Sequence, residues 1–199
     1  MIKINTSTDA KSSSSYHHGD LRQALVNAAW NSIQEQGPES LSLAALAKTI
    51  GVSQAAPFRH FADRSSLLAA VALHGFTTLF TLLTAAVNNP RGKGSAVSRF
   101  AHAYARFGTE NPAIYRLMLA SSVIGDSAED TELRVTARRS LQLLIDTLTD
   151  IPNAQLRRRR AVHIWAALHG AVMLGNQHLL AASAVATSLT DLVDTIITN

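Results

Sequence analysis

Apolar residues recur along this chain at helical spacings of three and four, and no stretch shows convincing period-two alternation. The pattern predicts a helix from about Asp20 to Gln36, with Leu21, Leu25, Ala28, Ala29 and Ile33 on one face, Trp30 at its rim and Gly37-Pro38 as its stop. A second helix is expected over Ser42 to Ile50. It carries Leu43, Leu46, Ala47 and Ile50 and closes on Gly51, a residue that takes the left-handed conformation without steric cost. Ser53 is then an N-cap candidate for a short helix from Gln54 to about Phe61.

A long helix follows from the capping candidate Asp63 to about Val87, with Leu67, Leu68, Val71, Phe76, Leu79, Phe80 and Leu83 as its apolar positions. Its length exceeds what a three-helix unit needs, which makes it a connector. The segment 88–94, with Asn-Asn-Pro and two glycines, reads as a loop. Further helices are expected over Ser95 to Gly108, from Asn111-Pro112 to Leu119, and from Leu133 to Leu148, with a turn at 125–130. Two closing helices, about 153–182 and 184–197, complete the pattern. The first is apolar nearly all round: Val162, Trp165, His169 and Met173 on one side, and Ile164, Leu168, Val172, Gly175 and Leu179 on the other. A terminal helix with two buried faces implies a four-helix bundle shared by two subunits, so a homodimer through the last two helices is expected.

The fold class expected is therefore all-α, with about nine helices. A flexible serine-rich arm (1–15) precedes a three-helix head (16–62), and the long helix joins that head to a larger helical body (63–199). Two helices meeting at Gly51 through a turn of about three residues have the spacing of a helix-turn-helix, whose second helix reads the DNA major groove.

Composition changes this picture in a few places. Cysteine is absent, so disulfides and thiol chemistry are excluded. Met1 to Ser15 has no apolar core of signal-peptide length, and no apolar run is read as approaching the ~20 residues of a membrane span, so a cytoplasmic protein is expected. The net charge of +4 matters less than its placement. Lys48, Arg59 and Arg64, with His60 beside them and one Asp63, make the reading segment locally basic, whereas Arg157 to Arg160 lies far away and reads as a solvated face. The eight histidines include no pair at i, i+4 and no carboxylate at ligand spacing; no metal and no cofactor are expected. Phosphate loops, nucleophile elbows and paired catalytic acids are also missing, which argues against an enzyme.

Three stretches carry a resemblance. Tyr16-His17-His18-Gly19-Asp20-Leu21-Arg22, the run from Leu43 through Gly51-Val52-Ser53, and Ala55-Ala56-Pro57-Phe58-Arg59-His60-Phe61-Ala62-Asp63-Arg64 resemble the DNA-binding head of the TetR family of bacterial transcriptional regulators. Trp165-Ala-Ala-Leu-His169-Gly170 is similar to the W-x-x-x-H-G signature of one C-terminal class of that family. The resemblance implies that Gln54, Ala55 and Arg59 approach base edges, while Ser42, Lys48, His60, Arg64 and Arg22 hold phosphate. Ser53 is expected to cap the reading helix. Phe58 stands where the family commonly has a tyrosine whose hydroxyl touches phosphate, and on sequence grounds both it and Phe61 are expected in the head core. Arg64 keeps the charge of the usual lysine, and Ser65 replaces a frequent acid.

In the body, Trp165 and His169 share one helix face. They are read either as a packed indole beside a hydrogen-bonded core histidine or as the lining of a ligand cavity with Phe100, Tyr104, Phe107, Tyr115, Met118 and Met173. Gly170 is expected to permit close helix packing. The function expected is a sequence-specific regulator, a repressor of a palindromic double-stranded operator released by a small apolar or aromatic effector. Its rivals are a small-molecule-binding bundle with weak or non-specific DNA binding, and a ligand-independent architectural DNA binder.

Overall fold

The computed structural model describes residues 18–120, 131–177 and 188–198. The serine-rich arm, Tyr16-His17, the turn expected at 125–130 and the helical residues expected at 178–182 and 184–187 lie outside them. Among the described residues there are eight α-helices and no strand: α1 (His18–Gln36), α2 (Leu43–Thr49), α3 (Arg64–Val87), α4 (Ala96–Glu110), α5 (Pro112–Leu119), α6 (Glu132–Thr147), α7 (Ala154–Asn176) and α8 (Leu189–Thr198). Short 3-10 turns occupy Pro38–Ser40 and Pro57–Arg59.

The long helix α3 is the axis of the molecule. Asp63 starts it with a reciprocal cap: its carboxylate accepts from the Ser66 amide at 2.7 Å, and the Ser66 hydroxyl accepts from the Asp63 amide at 3.2 Å. The Ser66 bonds to the carboxylate hold the Asp63 pKa below the usual value. From there α3 packs on α1, α4, α5 and α6, and buries Leu67, Val71, Ala72, Phe76, Leu79 and Leu83. By length and composition α3 is apolar enough to cross a membrane, contrary to the expectation from sequence. Half of its most apolar window is buried within the protein, as the central helix of a helical core requires.

At its far end α3 is closed by a residue of the next helix. Arg99 donates from Nε to the Ala86 carbonyl at 2.9 Å, from one Nη to Val87 at 2.8 Å and from the other to Gly94 at 2.7 Å. One guanidinium thus satisfies the Val87 carbonyl, adds a second donor to the Ala86 carbonyl, which also accepts from the Asn89 amide at 3.3 Å, and pins the 88–95 loop. Arg99→Ala is expected to cost about 1–2 kcal/mol, since it removes three bonds and leaves the half-buried Val87 carbonyl without its donor. A melting temperature within one degree of the parent would show that water replaces the guanidinium.

Two expectations for the body concern a face of α7 that the single protomer leaves open, and a third, the Asn111 cap, needs correction. The helix read as buried on two sides, α7, buries only one within a protomer: Ala161, Ile164, Leu168, Ala171 and Val172 are inside, whereas Val162, Ala166 and Leu174 are exposed. A Cβ built on Gly170 would meet nothing within 4 Å, so close packing inside the protomer is not its purpose. Asn111 does precede α5 but caps it with no side-chain hydrogen bond. Its amide nitrogen donates instead to the Phe107 carbonyl, and its oxygen accepts from Gln34 of α1 at 3.2 Å.

Candidate nucleic-acid interface and ligand cavity

In the head, α2 begins on Ser42, whose hydroxyl accepts from the Ala45 amide at 3.5 Å. It ends on Gly51 at φ +75°, with Gly51 N–H donating to Lys48 and Val52 N–H to Ala47. That crossed pair is a Schellman closure, and the positive φ is the reason for glycine. The next segment is shorter and tighter than the helix expected from Gln54 to Phe61. Gln54 and Ala55 form a turn, and only Pro57–Arg59 is helical, as a 3-10 turn. Proline supplies the reason. With no N–H at position 57 the Ser53 carbonyl takes the Ala56 amide at 3.0 Å, and every bond that follows up to His60 also spans three residues.

The tight turn re-aims its side chains. Phe61 is buried at 2 % exposure in the head core, but Phe58, expected beside it, is 55 % exposed. The turn is finished at His60, so the three-residue spacing no longer places both rings on one helical face. Ser53, Gln54, Ala55, Phe58 and Arg59 are exposed along one short stretch of chain, with Lys48 exposed on the last turn of α2. Two of the phosphate candidates have partners inside the protein. Arg22 lies 5.2 Å above the Phe61 ring, and Arg64 donates to the Pro38 carbonyl. His60 is half-buried.

The body holds a cavity of about 200 Å³ between α3, α4, α5, α6 and α7. Of the eight candidates from the sequence, Tyr104, Tyr115, Met118 and Trp165 line it; Phe100, Phe107, His169 and Met173 do not. Phe100 and Phe107 are wholly buried in the core instead. The remaining wall comes from Phe76 and Leu79 of α3, Leu119 of α5, and Ala137, Arg138, Ser140 and Leu141 of α6. Sequence reasoning misses these because it treats α3 as a connector and the inward stripe of α6 as plain core. A signal is present all the same: Thr136 and Ser140 are polar residues on that stripe, and both are buried.

His169 reaches the cavity through a hydrogen-bonded chain. The Tyr104 and Tyr115 hydroxyls are 2.9 Å apart, and the Tyr115 hydroxyl lies 2.7 Å from His169 Nδ1. Trp165 stacks on the imidazole with centroids 6.1 Å apart. The indole thus stands in the cavity wall and the histidine behind it. Burial pushes the Tyr104 phenol up to about 12, partly offset by hydrogen bonds with Tyr115 and Trp165. Burial also raises Tyr115, with Tyr104 adding to the shift, and burial lowers His169. This hydroxyl–imidazole chain is consequently uncharged at neutral pH.

The lowered histidine has a measurable consequence. An unfolded chain takes up a proton near the ordinary value of 6.5, while native His169 resists it. Stability from this source is complete above about pH 6.5 and falls as the pH drops through the lowered native value. His169→Gln is expected to flatten the fall in melting temperature between about pH 8 and about pH 5.5. An unchanged pH slope would assign the acid sensitivity to other groups.

Family models agree with this arrangement in both halves. Residues 25–71 match the model described as bacterial regulatory proteins, tetR family, and residues 97–197 match the tetracyclin repressor-like C-terminal domain. The chain belongs to the TetR family. It is a DNA-binding transcriptional regulator with an all-helical TetR fold. It is 28 % identical over 160 residues to YobS, an uncharacterized HTH-type transcriptional regulator of Bacillus subtilis strain 168, covering 78 % of this chain and 79 % of that one. A solved protein of unknown function from Rhodococcus sp. RHA1 superposes with a TM-score of 0.76 at 29 % identity, over 92 % of this chain and 96 % of that one. The TetR family regulator PfmR of Thermus thermophilus superposes at 0.55 and 22 % identity, covering 75 % and 84 % of the two chains.

Proposed function

We propose that this TetR-family regulator is a ligand-responsive repressor that binds a palindromic operator as a homodimer and is released by a small apolar or aromatic effector. The observation that carries the reading is that α5 serves the cavity and the head at once. Tyr115, Met118 and Leu119 of α5 line the cavity. At the other end of the same helix, Gln34 of α1 accepts from the Ile114 amide at 3.4 Å and donates to Asn111 at 3.2 Å. A ligand that displaces α5 therefore moves a helix of the head, in addition to any motion along α3. The shift in operator affinity equals the ligand's differential affinity for the two head positions.

In this reading residues 16–62 read DNA and 63–199 bind ligand and dimerise, with residues 1–15 as an arm. Gln54, Ala55 and Arg59 face base edges; Ser42, Lys48, Ser53, Phe58, His60, Arg22 and Arg64 set the register on the backbone. The interface between protomers uses the outer stripe of α7, Val162, Ala166, Gly170 and Leu174 at four-residue spacing, together with α8. The exposed apolar side chains and the open space at Gly170 support this assignment. Two heads then sit roughly 34 Å apart, one turn of B-DNA.

Selection of genomic fragments by the purified protein is the test. It is expected to return one two-fold symmetric sequence with half-sites about one turn apart. Fragments sharing no motif would favour the rival, a ligand-binding bundle with non-specific DNA binding, for which the short reading turn and exposed Phe58 are the supporting observations.

A further inference from the structure

The cavity contains one polar group that the protein leaves unused. Ser140 sits on the inward stripe of α6 at 3 % exposure and lines the cavity, yet its Oγ is buried with no hydrogen-bond partner among the described residues. Serine inside a helix commonly bonds back to the carbonyl four residues earlier, as the threonines Thr77, Thr78, Thr81 and Thr84 all do in α3. Ser140 does not. A buried hydroxyl without a partner costs stability, so its presence in an apolar wall points to a partner that arrives from outside.

The rest of the wall defines that partner. Phe76, Leu79, Met118, Ala137, Leu141 and Trp165 give it a largely apolar surface. The tyrosine hydroxyls are already engaged in the Tyr104–Tyr115–His169 chain. Arg138 also lines the cavity, but as an exposed residue rather than a buried one. An ion placed at Ser140 would be desolvated without a buried counter-charge. The volume of about 200 Å³ accommodates roughly ten non-hydrogen atoms at protein packing density.

We infer that Ser140 is the polar anchor of the effector site, and that the site takes an uncharged aromatic or alicyclic molecule of about this size bearing a single hydroxyl or carbonyl, which hydrogen-bonds to Ser140 Oγ. This rests on the reading of the cavity as the effector site and adds its ligand chemistry.

Three probes of one shape separate the possibilities: 4-ethylphenol, ethylbenzene and 4-ethylbenzoate, titrated into the full-length Trp30→Phe protein, whose single remaining tryptophan is Trp165, and followed by calorimetry and by fluorescence. The parent is expected to bind the phenol about 10-fold more tightly than the hydrocarbon and to discriminate against the carboxylate. In Ser140→Ala the phenol preference should collapse to within about 2-fold, while hydrocarbon binding is kept. Because the substitution removes an unpaired buried hydroxyl, the ligand-free variant should melt at the same temperature as the parent or higher. A structural serine would give a lower melting temperature and an unchanged preference, and that combination overturns the proposal. Tightest binding of the benzoate overturns it in favour of an anionic effector, and failure of all three probes to bind overturns it as well. Each of these outcomes is read without DNA. Operator selection can therefore succeed where the Ser140 assignment fails, and the reverse.

Discussion

Replacing Arg59 with alanine is expected to weaken binding to the selected operator by about 1–3 kcal/mol, roughly 10- to 100-fold, and to relax the base preference at one position of each half-site. The magnitude follows from the chemistry of a guanidinium forked on a guanine edge, which no other cation of the reading turn can supply. Arg59 closes the 3-10 turn that Pro57 imposes, and its side chain is exposed rather than part of the head core. The same change at Lys48, a phosphate candidate, is expected to lower affinity for every sequence alike and to reduce the salt dependence by about one counterion. If Arg59→Ala binds with unchanged selectivity in a competition assay, the base-reading role passes to Gln54.

In the proposed dimer, Val162→Glu is expected to separate the protomers, with a rise in the dissociation constant of roughly 100-fold or more in sedimentation at micromolar protein, the scale of burying unpaired charge. Val162 is 45 % exposed on the outer stripe of α7, so the substitution is tolerated by the isolated protomer. In the proposed contact the substitution would bury an unpaired carboxylate from each protomer against an apolar stripe, at a cost of several kcal/mol. Operator binding should fall in parallel, because a single head makes half of the contacts. Leu192 of α8 is a poorer site for such a test: it is half-buried on a helix that also packs within the protomer against α4 and α7. A charge there would perturb the subunit as well. A parent-like dimer in the Val162→Glu variant would place the interface elsewhere.

The apolar periodicity of the chain contained the helices, their order and the central place of α3, because each of these is a local consequence of spacing and capping. Gly51 and Asp63 were legible as a stop and a start for the same reason. What spacing could not convey was the effect of one missing amide: Pro57 shortens the reading element to a 3-10 turn and turns Phe58 outward. The cavity was half legible. Tyr104, Tyr115, Met118 and Trp165 stood out as large side chains at helical spacing, but Phe76 and Leu79 were indistinguishable from the other apolar residues of α3. Gln34 gave no signal, since its partners are 76 to 80 residues away in the chain. Periodicity alone marks the outer face of α7 as buried; the protomer leaves it open, which makes oligomerisation a question for solution measurement.

Sequence-selective binding, by a head whose reading turn is short and whose Phe58 lacks a hydroxyl, is the central claim. Titration of a selected operator duplex and a scrambled duplex of equal length, across a series of salt concentrations, measures that directly. A preference of at least about 10³-fold for the operator, retained as both affinities fall with salt, is the result predicted. Equal affinities at every salt concentration would contradict it.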